Sequence, residues 1–307
     1  MTSQKSEKKH TEISIVGSGI AGITTAFHLG KKGYKVNLID STVNSEINNF
    51  CPRNGTQASL GVLMGNIYKR SQGRAFLLRN RSMQLWNEWI TQIYNSESNF
   101  IFEKPLIKLA SSEKEYKSMI ELSKNKKEYG IEILDKKSIE FWNSIFEKKL
   151  IGGLISNNDG RLNPIKLIKL LMEQLDKDKI SKIEDTVIKI SKNSNSFNKK
   201  WKIHFENDQC ISQHFIVICS ALNTQKLLNP LGHKIFLEPI LGQAIELELM
   251  QNTKNWDKWP AILNYQSINY IHHKPSHIII GATIEKNNEP CFIDKQKMLN
   301  INNSAPK

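Results

Sequence analysis

The chain has 307 residues, 39% of them hydrophobic, and a formal net charge of +13 with a pI near 9.4. That length and apolar content allow a sizeable core and about two domains. Apolar runs such as Phe215 to Cys219 and Ile278 to Ile280 fall far short of the roughly 20 residues that span a bilayer. The opening MTSQKSEKKHTE lacks the apolar core of a secretory signal. The expectation is a soluble cytoplasmic protein with no membrane partner. The basic charge raises nucleic acid as a partner, but the lysines run along the whole chain and read as compositional drift. Five of the six arginines, from Arg53 to Arg81, share one segment. The four cysteines, Cys51, Cys210, Cys219 and Cys291, have neither disulfide-framework nor zinc spacing.

In chain order, Ile13 to Val16 is a short β-branched run expected to be a buried strand. Apolar residues from Ile20 to His28 recur at helical spacing until Gly33 stops the helix, and Lys35 to Asp40 is a second strand. Strand, glycine turn, helix and strand make a βαβ unit with parallel strands. A long amphipathic helix is expected over Arg74 to Ile93, a strand over Pro105 to Ala110 and a charged helix over Glu113 to Tyr129. Gly152 to Pro164 reads as loop, followed by a helix from Pro164 to about Leu175. Strands are expected at Thr186 to Ile190, Trp201 to Phe205, Phe215 to Cys219, Ala244 to Leu249 and His277 to Ile280, with a loop holding Trp256 and Trp259 before the last. The chain has no internal repeats.

Gly17-Ser18-Gly19-Ile20-Ala21-Gly22 is a G-x-G-x-x-G placed between a strand and a helix. Gly17 permits the tight turn, Gly19 leaves room for a pyrophosphate and Gly22 lets the helix pack on the sheet. Free amides and the helix dipole favour the phosphates. Asp40, with Ser41 beside it, is placed to accept from ribose hydroxyls. The motif alone leaves FAD and NAD open.

Later segments resemble the D-amino-acid oxidase family of flavoenzymes, glycine oxidase and sarcosine oxidase among them. GTQASLGVL, Gly55 to Leu63, is similar to the family segment that lies against the flavin, with Thr56, Gly61 and Leu63 matched. DGRLNPIKL, Asp159 to Leu167, resembles D-G-x-x-N-P-x-x-L, and Thr186-Val187 falls where the family places a strand touching adenine. FIVICSALNTQKLL resembles a strand and turn in which Ser220-Ala221 replaces Ala-Gly. PILGQAIELE is similar to the strand opening the substrate sheet, and Gly281-Ala282-Thr283 matches G-A-T. The resemblance implies FAD, hydride transfer from an amine carbon to the flavin, and a small amine or amino acid as substrate.

The implied fold is α/β: a Rossmann-like FAD-binding domain with a parallel sheet, and a substrate domain with a mixed, largely antiparallel sheet. Residues 12–100 and 150–235 are expected to form the first, 101–149 and 236–290 the second, with a disordered tail over 1–11 and an irregular one over 291–307. Tyr270 sits where glycine oxidase-like proteins carry a tyrosine near the substrate and is the catalytic candidate; it reads equally as a packed sheet aromatic. His272 and His273 alternate across a strand, so no metal is expected. Family members continue well beyond G-A-T and draw their substrate-binding arginine from that part, whereas no arginine follows Arg161 here. Two alternatives therefore stand: a flavoprotein acting in tRNA wobble-uridine modification, and a truncated FAD-binding protein without catalysis.

Overall fold

The computed structural model describes residues 11–46, 54–93, 102–146, 149–194, 198–248, 258–274 and 276–286. The two expected tails beyond these, together with Cys51, Arg53, Trp256 and Cys291, lie outside the described residues. The chain divides into two units, Met1–Ser59 with Pro164–Glu238 and Leu60–Asn163 with Pro239–Lys307.

The first unit begins with the expected βαβ element. Strand β1 (Glu12–Val16), helix α1 (Ile20–Lys31) and strand β2 (Lys35–Ile39) follow one another, and β1 and β2 pair in parallel from Glu12↔Lys35 to Val16↔Ile39. Ile15 and Leu38 are fully buried because a parallel strand is covered on both faces. Helix α5 (Pro164–Lys177) lies alongside α1, and the short β8 (Ser181–Ile183) extends the sheet beyond β2. On its other side β1 pairs in parallel with β12 (Phe215–Ile218). The order β12-β1-β2-β8 joins strands about 200 residues apart. An antiparallel sheet of β9 (Val187–Lys192), β10 (Trp201–Phe205) and β11 (Cys210–Gln213) covers one face. There Ile203 and Phe205 pack with Ile39 and Ile216.

The second unit is built on a seven-stranded sheet. Its order is β14 (Ala244–Glu248), β17 (His277–Gly281), β16 (Ile268–Lys274), β15 (Ile262–Tyr265), β4 (Leu106–Ala110), β6 (Gly152–Ser156) and β5 (Ile131–Leu134). Only the β15–β4 pair is parallel. Alternation along β4 separates two cores: Ile107 and Leu109 join Trp142 and Phe146 of α4 (Glu140–Phe146). Leu106 and Ala110 join Met119 and Leu122 of α3 (Glu113–Asn125) on the opposite face. The expected helix over Glu113 to Tyr129 ends at Asn125 and tightens to a 3₁₀ turn over Lys127–Tyr129.

Two boundaries differ from the sequence expectation. Gly152 to Ser156, expected as loop, is the strand β6, because it pairs with β4 on one side and β5 on the other, and its glycine is needed for packing: a Cβ on Gly152 would lie 2.2 Å from the Tyr116 ring. Residues 60–93 and 150–163, expected in the cofactor domain, belong to the second unit. There β6 pairs between β4 and β5, and β3 (Val62–Leu63) pairs with β7 (Gly160–Arg161). Helix α2 (Arg74–Ile93) sets Phe76 edge-on to Tyr129 in the same unit.

Candidate functional site

The first unit encloses a cavity of about 410 Å³ at the ends of β1, β2 and β12. Its floor is the glycine turn. Gly17 adopts φ +108°, and a Cβ there would stand 2.4 Å from the Cys219 carbonyl oxygen. Gly22 is pressed against the same turn, since a Cβ on it would fall 1.8 Å from Gly17 O. At Gly19, among the described residues, a Cβ would meet one atom within 4 Å, Thr56 Oγ1 at 3.4 Å. Two of the three glycines thus serve packing, and the middle one opens onto space.

Polar groups fix the turn. The Ser18 N–H donates to Asp40 Oδ2 at 2.8 Å, while Asp40 Oδ1 accepts from the Thr42 N–H and hydroxyl at 2.9 and 2.8 Å. The acid is therefore anchored by backbone on both sides while it lines the cavity. The Ile20 N–H at the start of α1 donates to Thr56 Oγ1 at 3.0 Å. An oxygen acceptor already sits where the helix dipole favours one.

Of the residues expected to hold a cofactor, Gly17, Gly19, Asp40, Ser41, Thr56, Val187, Ser220 and Ala221 line this cavity. Ser18, Ile20, Ala21 and Gly22 build the turn beneath it. Gly61 and Leu63 fall in the second unit, where the Leu162 N–H donates to Gly61 O and Leu63 pairs with Gly160. Tyr270 also lies in the second unit, 1% exposed, with its ring edge-on to Phe146. The structure brings Asn54, Asp185, Cys219 and Asn223 to the cavity as well. Cys219 and Asn223 lie in the FIVICSALNTQKLL segment but outside its matched Ser220-Ala221, and Asn54 and Asp185 lie just before the matched Gly55 and Thr186. Burial pushes the Cys219 thiol up from its ordinary pKa, against a hydrogen bond from Thr25 that lowers it, so it lines the wall as a neutral group.

Ala221 has φ +47°, the left-handed region that favours glycine. The Ser220-Ala221 replacement thus keeps a glycine-like bend with a methyl group in place, and backbone still forms this part of the wall.

Residues 12–302 match the sequence model of the DAO family, described as FAD dependent oxidoreductase. The chain belongs to the DAO family. No curated protein matches it by sequence. Among solved structures it is similar to glycine oxidase from Geobacillus kaustophilus, at 17% identity and TM-score 0.77, covering 95% of this chain and 76% of that one. Iminodiacetate oxidase from Chelativorans sp. BNC1 shows 17% identity and TM-score 0.75 over 94% of this chain and 76% of that one. FAD-bound L-α-glycerophosphate oxidase from Mycoplasma pneumoniae shows 14% identity and TM-score 0.78 over 96% and 78%. The mixed α/β architecture is therefore that of FAD-dependent oxidoreductases.

FAD is the cofactor of the DAO family, and the cavity fits the adenine-dinucleotide part of it. The open side of Gly19, the Ile20 amide that already donates to an oxygen and the anchored Asp40 match a pyrophosphate followed by a ribose. When bound, FAD supplies the two-electron acceptor that side chains lack. Among the described residues no helix is long and apolar enough to cross a membrane.

Proposed function

We propose that this chain oxidises the C–N bond of a small amine or amino acid. The observation that carries the reading is the glycine cradle with its anchored acid, inside a chain matched to the DAO family over residues 12–302. Gly17, Ser18, Gly19, Ile20, Ala21 and Gly22 hold the pyrophosphate, Asp40 and Ser41 the ribose, and Val187, Ser220 and Ala221 the adenosine wall. Thr56 extends this set, and Gly61 and Leu63 are assigned to the flavin side. With FAD bound, the hydride lost from the amine's α-carbon would pass to the flavin as a proton leaves nitrogen, and water would hydrolyse the resulting imine to a carbonyl compound and ammonia or an amine. Tyr270, within the second unit's sheet, is assigned to the substrate side. An amine is supported by the glycine oxidase and iminodiacetate oxidase neighbours. The free thiols of Cys210 and Cys219 suit a cytoplasmic setting.

The test is anaerobic reduction of the purified flavoprotein. Bleaching of its visible flavin absorbance by glycine, sarcosine, iminodiacetate, D-alanine or L-proline is expected. Bound flavin that bleaches only with glycerol 3-phosphate would move the reading to an alcohol. Flavin that bleaches with none of these would leave a binding protein without this catalysis.

A further inference from the structure

Helix α2 of the second unit buries Phe76 and Met83 on one side, and its other side is open to solvent from Arg74 to Leu85 and ends at the buried Trp89. On that face Leu77, Leu78 and Leu85 are 63%, 71% and 44% exposed. Arg74 and Arg81 lie among them, following the spacing Arg74, Leu78, Arg81, Leu85 that keeps residues on one helical stripe. The helix is firmly seated: Phe76 stands edge-on to Tyr129 at 5.9 Å, and the Lys126 ammonium sits over the Phe76 ring at 5.0 Å. Three leucines in water on a docked helix form the kind of apolar stripe that marks an interaction surface.

Charge selects the occupant. Between residues 60 and 93 the cations are Lys69, Arg70, Arg74, Arg79 and Arg81, and Glu88 is the only acid, forming an exposed ion pair with Arg81 at 3.7 Å that is weak enough to yield to a lipid phosphate. The turn before the helix adds exposed Tyr68, Lys69 and Arg70, with the Arg79 guanidinium stacked 4.0 Å from the Tyr68 ring centroid. A second copy of a chain carrying +13 would bring like charges together on this face. A nucleic acid would engage the cations and leave the leucines in water. An anionic lipid surface satisfies both sets, taking leucines into the interfacial layer while the guanidinium groups meet lipid phosphates.

The geometry points to the outer face of α2, with the turn at Tyr68 to Arg70, as a docking surface for an anionic phospholipid bilayer. This contact is peripheral, and no spanning segment takes part in it. The experiment is co-sedimentation of the intact flavoprotein with vesicles of phosphatidylcholine alone and of phosphatidylcholine mixed with phosphatidylglycerol. Binding is expected to the mixed vesicles only, and to weaken as salt is raised. The double variant Arg74→Gln/Arg81→Gln should lose roughly thirtyfold in partitioning, from the loss of two cation contacts at an anionic surface. Leu77→Ser/Leu78→Ser should lose at least tenfold, as insertion scales with apolar area. All four sites are exposed, so flavin content and unfolding midpoint should match the parent. Absence of binding to mixed vesicles overturns the inference, as does binding that either double variant leaves unchanged. Self-association abolished by the leucine variant without vesicle binding would assign the face to a second copy. RNA binding indifferent to the leucines, again without vesicle binding, would assign it to nucleic acid.

Discussion

Gly19 and Gly22 stand three residues apart in one turn and should respond to a side chain in different ways. Gly22→Ala drives a methyl group into Gly17 O, with 1.8 Å available, and overpacking of this kind costs about 1–3 kcal/mol. The expected result is a lower thermal midpoint for the apoprotein. At Gly19→Val the new Cβ meets, among the described residues, Thr56 Oγ1 at 3.4 Å, an ordinary contact distance, so the fold should survive while FAD binding falls at least about a hundredfold. Loss of two hydrogen bonds to a charged group, each about 1.5 kcal/mol, accounts for that factor. Flavin fluorescence titration reads it, and retained affinity in Gly19→Val would refute the cradle. Ala221 offers the converse case. Its φ of +47° costs an L-residue about 1–2 kcal/mol, and glycine recovers most of this less its own unfolded-state entropy. Ala221→Gly should raise stability by about 0.5–1 kcal/mol in urea unfolding. The glycine turn was legible because its residues are local and each does a separate geometric task. Asn54 and Asp185 were not, because only the fold brings them to the cavity.

The turn over residues 65 to 70 is held as an element by two buried opposite charges from distant parts of the second unit. Asp159 accepts from the N–H groups of Gly65, Asn66 and Ile67 at 2.9, 3.0 and 2.9 Å. Lys126, 0% exposed, donates its ammonium to the carbonyls of Asn66, Tyr68 and Arg70. Donation to three carbonyls needs three N–H bonds, hence the protonated form, even though burial pushes its pKa down against the pull of Asp159. Lys126→Met would strand three carbonyls, at a cost of about 3 kcal/mol, roughly 1 kcal/mol for each group left unsatisfied. A urea midpoint within error of the parent would sink this account. Asp159 was legible only as the first letter of a family motif; the backbone amides it holds lie more than 90 residues away. Gly152 to Ser156 was misread as loop for a related reason. Glycine-rich composition marks a turn locally, while β4 and β5 recruit the segment as a strand from outside it.

Glu12 of β1 accepts from Lys35 of β2 and from Lys199, just before β10, at 2.6 Å each. These bonds, Lys199 first, lower its pKa from 4.5 to about 2. A depressed carboxyl stabilises the fold above its unfolded pKa and loses that contribution as pH falls through the folded value. The window therefore runs from about 4.5 down to about 2. Both lysines are substantially exposed, 61% and 38%, so the contribution after screening is under about 1 kcal/mol. Glu12→Gln should unfold more readily than the parent at neutral pH, and the two should converge by the acid end of that window. A difference that persists undiminished there would mean the ion triad is not its source.

Across the whole molecule, each unit is assembled from two separate stretches of chain, the first from Met1–Ser59 with Pro164–Glu238. The βαβ element is local and the parallel pairing of β1 with β12 spans some 200 residues. This is why the strands could be read one at a time while their order could not. The same interleaving makes the cavity a staple, since its lining draws on residues near 17, 40, 55, 186 and 220. A ligand seated there ties both stretches together and stabilises the folded state by RT ln(1 + [L]/Kd), about 2.7 kcal/mol at a hundred times Kd. If the cavity holds the adenine-dinucleotide end of FAD, then ADP, which carries the pyrophosphate and adenosine alone, should raise the apoprotein's thermal midpoint. FMN, which carries the flavin without adenosine, should raise it little at the same concentration. Gly19→Val should erase the ADP shift, and because that variant is expected to fold, a missing shift reports on the cradle. The reverse pattern, with FMN stabilising and ADP inert, would place the ligand's other half in this cavity and require the pyrophosphate assignment to be withdrawn.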